Sequence, residues 1–133
     1  PSLAHFSAPT WAAVLALGEE VHATEPQLLS AFITGFEIGA KLGAGGMGEA
    51  ANSRGWHSTG VVGRLTAAAA SAVLLGLDAE RARHCLALAA TQTSGLVASF
   101  GTDGKPFHAG RAGSDGIFSA QLAAAGMRGA SQS

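Results

Sequence analysis

Two consecutive stretches, residues 58–75 and 79–98, are nearly apolar throughout and are separated only by Gly76, Leu77 and Asp78. A helix that is apolar on every side has no face to give to water, so both stretches are expected at the centre of a bundle, with other helices around them. The 133 residues include 29 alanines and 19 glycines. Alanine is the best helix former, and small side chains let helix axes approach closely. The expected fold class is therefore all-α, a bundle of about five helices, with no sheet.

Caps and spacing place the surrounding elements. Ser7 is expected to cap a first helix running to about His22, with Pro9 tolerated in its opening turn and Trp11, Val14, Leu15 and Leu17 on its apolar side. Thr24 and Gln27 have capping-box spacing, and Leu28, Leu29, Phe32, Ile33 and Phe36 recur at three- and four-residue steps, so a second helix follows and ends near Gly43. The run Gly43-Ala44-Gly45-Gly46-Met47-Gly48 is too rich in glycine to continue it and opens a loop reaching about His57. Ser58 or Thr59 starts the third helix, Gly76 stops it, and Asp78 caps the fourth. Residues 99–110 hold three glycines and Pro106, which predicts a second loop before a fifth helix from Arg111 to Gly126.

The length fits one domain. Charged residues are only 13% against roughly a quarter in an ordinary globular domain, so part of the surface is expected to face other protein. The net charge is −1 and the eight basic residues are scattered, which leaves no electrostatic footprint for nucleic acid and nothing to draw the chain to an anionic membrane. No apolar run approaches the ~18 residues of a membrane span. Cys85 is the only cysteine, which excludes an internal disulfide and any multi-cysteine metal centre and fits a reducing cytoplasm. The chain opens with Pro1 rather than methionine and closes on Ser133 without a clear terminal element, and we expect a piece of a longer polypeptide.

Two segments collect the unusual polar residues: Arg54-Gly55-Trp56-His57-Ser58-Thr59 and Gly101-Thr102-Asp103-Gly104-Lys105-Pro106-Phe107-His108-Ala109-Gly110. Each leads into a helix N-terminus, where unpaired N–H groups and the positive dipole end favour a carboxylate. An imidazole at His57 titrates close to neutral pH and suits a general acid or base; a helix-capping or gap-filling histidine is the plainer reading. Lys105, one of two lysines, has its backbone restrained by Gly104 and Pro106 and suits a positioned ammonium, the plainer reading being a solvated loop lysine. His108 and Arg111 can orient Lys105 or take a second carboxylate. The run at 43–48 lacks the preceding strand of a dinucleotide site. His5, His22 and His84 lack zinc-ligand spacing, and Cys85 lies in an apolar helix where a thiol is normally inert.

The succession Gly55-Trp56-His57-Ser58-Thr59, the alanine-rich run from Ala67 ending Leu75-Gly76-Leu77-Asp78, and the segment from Gly101 to Gly110 resemble the MmgE/PrpD family in order and spacing. That family includes 2-methylcitrate dehydratase, cis-aconitate decarboxylase and an iminodisuccinate epimerase, with a large all-helical domain and a smaller α/β lid. The resemblance implies that residues 1–133 are the central part of the helical domain, without the lid and the N-terminal helices. It implies His57 and Lys105 as catalytic residues, the first for proton transfer and the second for carboxylate binding or the two exchanged, and calls for no metal or other cofactor; Ser58 and His108 beside them are candidates for binding substrate. It also implies that site residues upstream and in the lid lie outside this stretch, so the stretch alone is expected to be inactive.

The shared chemistry is proton transfer at a carbon beside a carboxylate, followed by loss of water, loss of CO2 or return of the proton. The leading expectation is a cytoplasmic hydro-lyase of the 2-methylcitrate dehydratase type, acting as a homodimer on a small carboxylic acid. Decarboxylase and epimerase activities stand beside it, as does a non-catalytic helical oligomerisation module. A pyridoxal-phosphate enzyme is disfavoured because nothing resembles that cofactor's phosphate cup.

Overall fold

The computed structural model describes residues 4–131. Among them are six α-helices: α1 (Ser7–Glu20), α2 (Glu25–Ala44), α3 (Met47–Ser53), α4 (Ser58–Leu74), α5 (Ala79–Thr91) and α6 (Gly104–Ala124), with a 3-10 turn at Val97–Ser99. The all-α expectation holds, and the only extended pairing among the described residues is a single antiparallel bridge between Trp56 and Leu96. No helix among them is long and apolar enough to cross a membrane.

α4 is the axis of the bundle. It packs against each of the other five helices, and thirteen of its seventeen residues are buried, including the run Ala67-Ala68-Ala69-Ala70. Small residues permit this on both sides of the contact. A Cβ on Gly116 of α6 would fall 2.5 Å from the Ala67 Cβ and 2.7 Å from the backbone of Ala67 and Ala68, so α6 lies on α4 at a distance only glycine allows.

α5 departs from the expectation of a second central helix. Glu80, Arg81, Arg83 and Ala90 are exposed, and only His84, Cys85, Leu88 and Ala89 are buried. Its two arginines and one glutamate define a solvent face that counting apolar residues conceals. The helix also stops at Thr91, and it could not have run to Ala98, because Gly95 at φ 115° takes a conformation closed to helix and unfavourable to any other residue.

Other boundaries moved for local reasons. The Thr24–Gln27 capping box forms in both directions, and Asp78 caps α5 by accepting from the Arg81 N–H at 2.9 Å. α1 begins at Ser7, but the N-cap is the buried Phe6, with no side-chain cap bond. The expected loop before His57 contains the short helix α3, entered by a reversal at Gly46, φ 81°. α6 starts at Gly104 rather than Arg111. Pro106 sits in its first turn, where a missing N–H has no intrahelical partner to lose, so proline marks the start of this helix and not a loop.

Candidate active site

The segments before α4 and after α5 are stitched together by backbone. The His57 N–H donates to Gly95 O at 2.9 Å, and the Val97 N–H donates to Gly55 O at 2.9 Å. This fixes His57 as the N-cap of α4 in extended conformation, φ −71° and ψ 108°. His57 is 5% exposed. Its Nδ1 lies 3.0 Å from Nδ1 of His108, and its ring meets Phe100 edge to face with centroids 4.8 Å apart.

The early start of α6 decides where its polar residues go. Lys105 and His108 are three residues apart on one helix and therefore share a side. The Lys105 ammonium sits 4.5 Å from the centroid of Phe100, while His108 turns to His57. Phe100 thus contacts both principal residues, with Lys105 over its face and His57 in a T-shaped pair.

His57 and Lys105 line one cavity of about 200 Å³ with His5, Ala8, Thr59, Pro106 and Ala109. These residues belong to the entry of α1 and to the first turns of α4 and α6, so three helix N-termini converge there. Each brings the positive end of its dipole to this side, which favours an anion, while the first-turn N–H groups of α6 are already engaged, Gly104 by Thr102 Oγ1 and Lys105 by Thr102 O. His5, Ala8, Lys105 and Pro106 are exposed and form the mouth, whereas His57 and Thr59 are buried at the floor. The Thr59 hydroxyl accepts from the His5 N–H at 2.9 Å, tying the entry of α1 to α4.

Burial holds the His57 imidazole below the ordinary histidine range, and His108, Lys105 and His5 push in the same direction. At neutral pH the ring is uncharged and able to accept a proton, beside a cation able to hold a carboxylate.

Ser58 is buried in the first turn of α4 and is not part of the cavity lining. His108 is half-buried behind His57 and is likewise off the lining. Arg111 points away from Lys105 and pairs with Asp115, Nη2 to Oδ1 3.0 Å.

Sequence reasoning missed several residues that shape the site. Arg64, 1% exposed, donates from Nε to Asp115 Oδ2 at 2.8 Å, from Nη1 to Gly60 O and Ser94 O at 2.6 and 3.0 Å, and from Nη2 to Ser94 Oγ at 2.8 Å. This network fastens α4 to α6 and to the segment whose next residue, Gly95, holds the His57 backbone. The signal was present: a lone arginine inside an apolar helix needs a buried partner, and Asp115 among small residues is the matching oddity. Phe100 and His5 carried no such signal.

The family description for the MmgE/PrpD N-terminal domain matches residues 2–133. Cis-aconitate decarboxylase of Homo sapiens is 36% identical over 107 residues, 79% of this chain and 22% of that protein. Cis-aconitate decarboxylase of Aspergillus terreus is 34% identical over 100 residues, 74% of this chain and 20% of that protein. The cis-aconitate decarboxylase-like protein oryM of Aspergillus oryzae is 44% identical over 71 residues, 53% of this chain and 15% of that protein. The chain spans about a fifth of the length of the curated relatives it matches. A match over nearly every residue, on a helical fold of the kind its motifs imply, settles the lineage: the chain belongs to the MmgE/PrpD family.

Proposed function

We propose that the chain supplies the His57–Lys105 part of the active site of a lyase acting on a small di- or tricarboxylate, with the remaining walls of the pocket contributed from outside the matched stretch. The observation that carries this reading is the convergence of a neutral buried imidazole, an ammonium and three helix N-termini on one cavity. Lys105 and the helix ends hold carboxylates. They also stabilise the enolate-like charge that builds on a carbon beside one of them, where fixed dipoles act without reorganising. His57 moves the proton at that carbon.

Decarboxylation comes first among the possible outcomes, because the relatives named above are cis-aconitate decarboxylases. In that reaction CO2 departs, its bonding electrons pass into the system conjugated with a neighbouring carboxylate, and a proton must then be delivered to carbon. Dehydration of a 2-methylcitrate-like acid is the second reading. It is favoured by the neutral state of His57, which suits removal of a proton before hydroxide leaves.

NMR assays of the full-length protein with cis-aconitate and with 2-methylcitrate separate the two, through appearance of the decarboxylated acid or of the unsaturated dehydration product. We expect His57→Ala to lower kcat at least a hundredfold, the lower end of the range for a general acid or base. Lys105→Ala should chiefly raise KM. A full-length wild type that binds neither acid supports a non-catalytic helical module instead.

A further inference from the structure

The ring nitrogen of His57 nearest its neighbour is Nδ1, 3.0 Å from Nδ1 of His108. Between two neutral imidazoles one nitrogen of such a pair carries the hydrogen and the other accepts it, so the tautomers of the two rings are coupled. His57 presents a bare Nε2, the form a base needs, only when its own Nδ1 is protonated and donates to His108.

The fold builds a slot for this second ring. A Cβ at Gly95 would come within 3.1 Å of the His108 ring, and a Cβ at Gly60 within 3.7 Å of the His108 Cβ. Gly95 is also the residue that accepts the His57 N–H, at φ 115°. One glycine therefore anchors the backbone of the first histidine and leaves room for the ring of the second. The charged and titratable groups around the pair are Lys105 from α6, His5 from the entry of α1, and Arg64 from α4, the last engaged by Asp115.

We propose that His108 is a positioning residue that holds His57 as the Nδ1–H tautomer with Nε2 bare, rather than a substrate ligand. The inference rests on the reading of His57 as the group that removes a proton from carbon, the step of the dehydration described above. When Nε2 takes a proton from substrate carbon, His57 becomes an imidazolium whose Nδ1–H faces the lone pair of His108. Passing that Nδ1 proton across the 3.0 Å contact leaves His57 neutral with hydrogen on Nε2 and His108 as the cation. The base is reset when that proton returns to Nδ1 and the Nε2 proton is given up to the departing hydroxide or to solvent.

Nitrogen-15 NMR of histidine-labelled protein at neutral pH reads the tautomer of His57 directly and does not depend on turnover. We expect a protonated Nδ1 and an unprotonated Nε2 in the wild type. The pattern should persist in His108→Asn, whose amide oxygen can accept at the same place, and change to Nε2–H in His108→Leu. In the assay, kcat should fall about a hundredfold in His108→Leu with KM little changed, and Asn should restore most of it. A wild-type His57 already protonated on Nε2, or an unchanged tautomer in His108→Leu, overturns the proposal. If the leucine variant does not fold, a wild-type His57 protonated on Nε2 still overturns the proposal. A wild type with the expected tautomer but no turnover would instead count against the lyase reading alone.

Discussion

The candidate site turns on one buried imidazole that stays neutral. Because the folded-state pKa of His57 lies below the ordinary value of 6.5, the unfolded chain binds the proton more readily than the folded one. The contribution of His57 to stability is complete above pH 6.5 and is lost as pH falls from there through the depressed folded value. The rate limb assigned to this base in kcat/KM should accordingly lie below the usual histidine position, and it should vanish in His57→Gln. A limb at or above pH 6.5 would mean that the ring is not held as described. His57 and Lys105 were both legible before the fold was known, because their motifs carry recognisable neighbours and each precedes or opens a helix. The partnership of His57 with His108 was not. It depends on the rotation of α6, and that rotation follows from a start at Gly104 that Pro106 and the flanking glycines disguised as loop.

At the scale of the element, α6 offers a contrast between two glycines on one helix. Gly116 is pressed against the backbone of α4, whereas a Cβ on Gly110 would meet nothing within 4 Å. Gly116→Ala should therefore destabilise the protein by about 1–3 kcal/mol through overpacking. Gly110→Ala should stabilise it by about 0.5–1 kcal/mol, since alanine loses less backbone entropy in a helix. Chemical denaturation of both variants checks the pair, and equal effects would contradict the packing of α6 on α4. The central place of α4 was readable from its run of small apolar residues. That of α5 was misread for the same reason, because an alanine count ignores which side its charges occupy.

At the scale of the whole molecule, the buried Arg64–Asp115 pair joins the axis helix, α6 and the segment that fixes His57, so fold and site share one fastening. Removing Arg64 leaves the buried Asp115 with only the half-exposed Arg111 to pair with. Arg64→Met should cost about 3–5 kcal/mol in urea denaturation, while the double variant Arg64→Met with Asp115→Leu should recover much of that loss. A single variant as stable as the wild type would show that the network does not brace the structure. The central claim, that an imidazole and an ammonium from separate helices serve one carboxylate-binding cavity, has a direct measurement: titration of an unreactive tricarboxylate into the protein while following the ring resonances of His57 and, as an internal control on α5, His84. We predict saturable shifts at His57 and none at His84, with the His57 response abolished in Lys105→Ala; a silent His57, or a response unchanged without Lys105, would contradict the account.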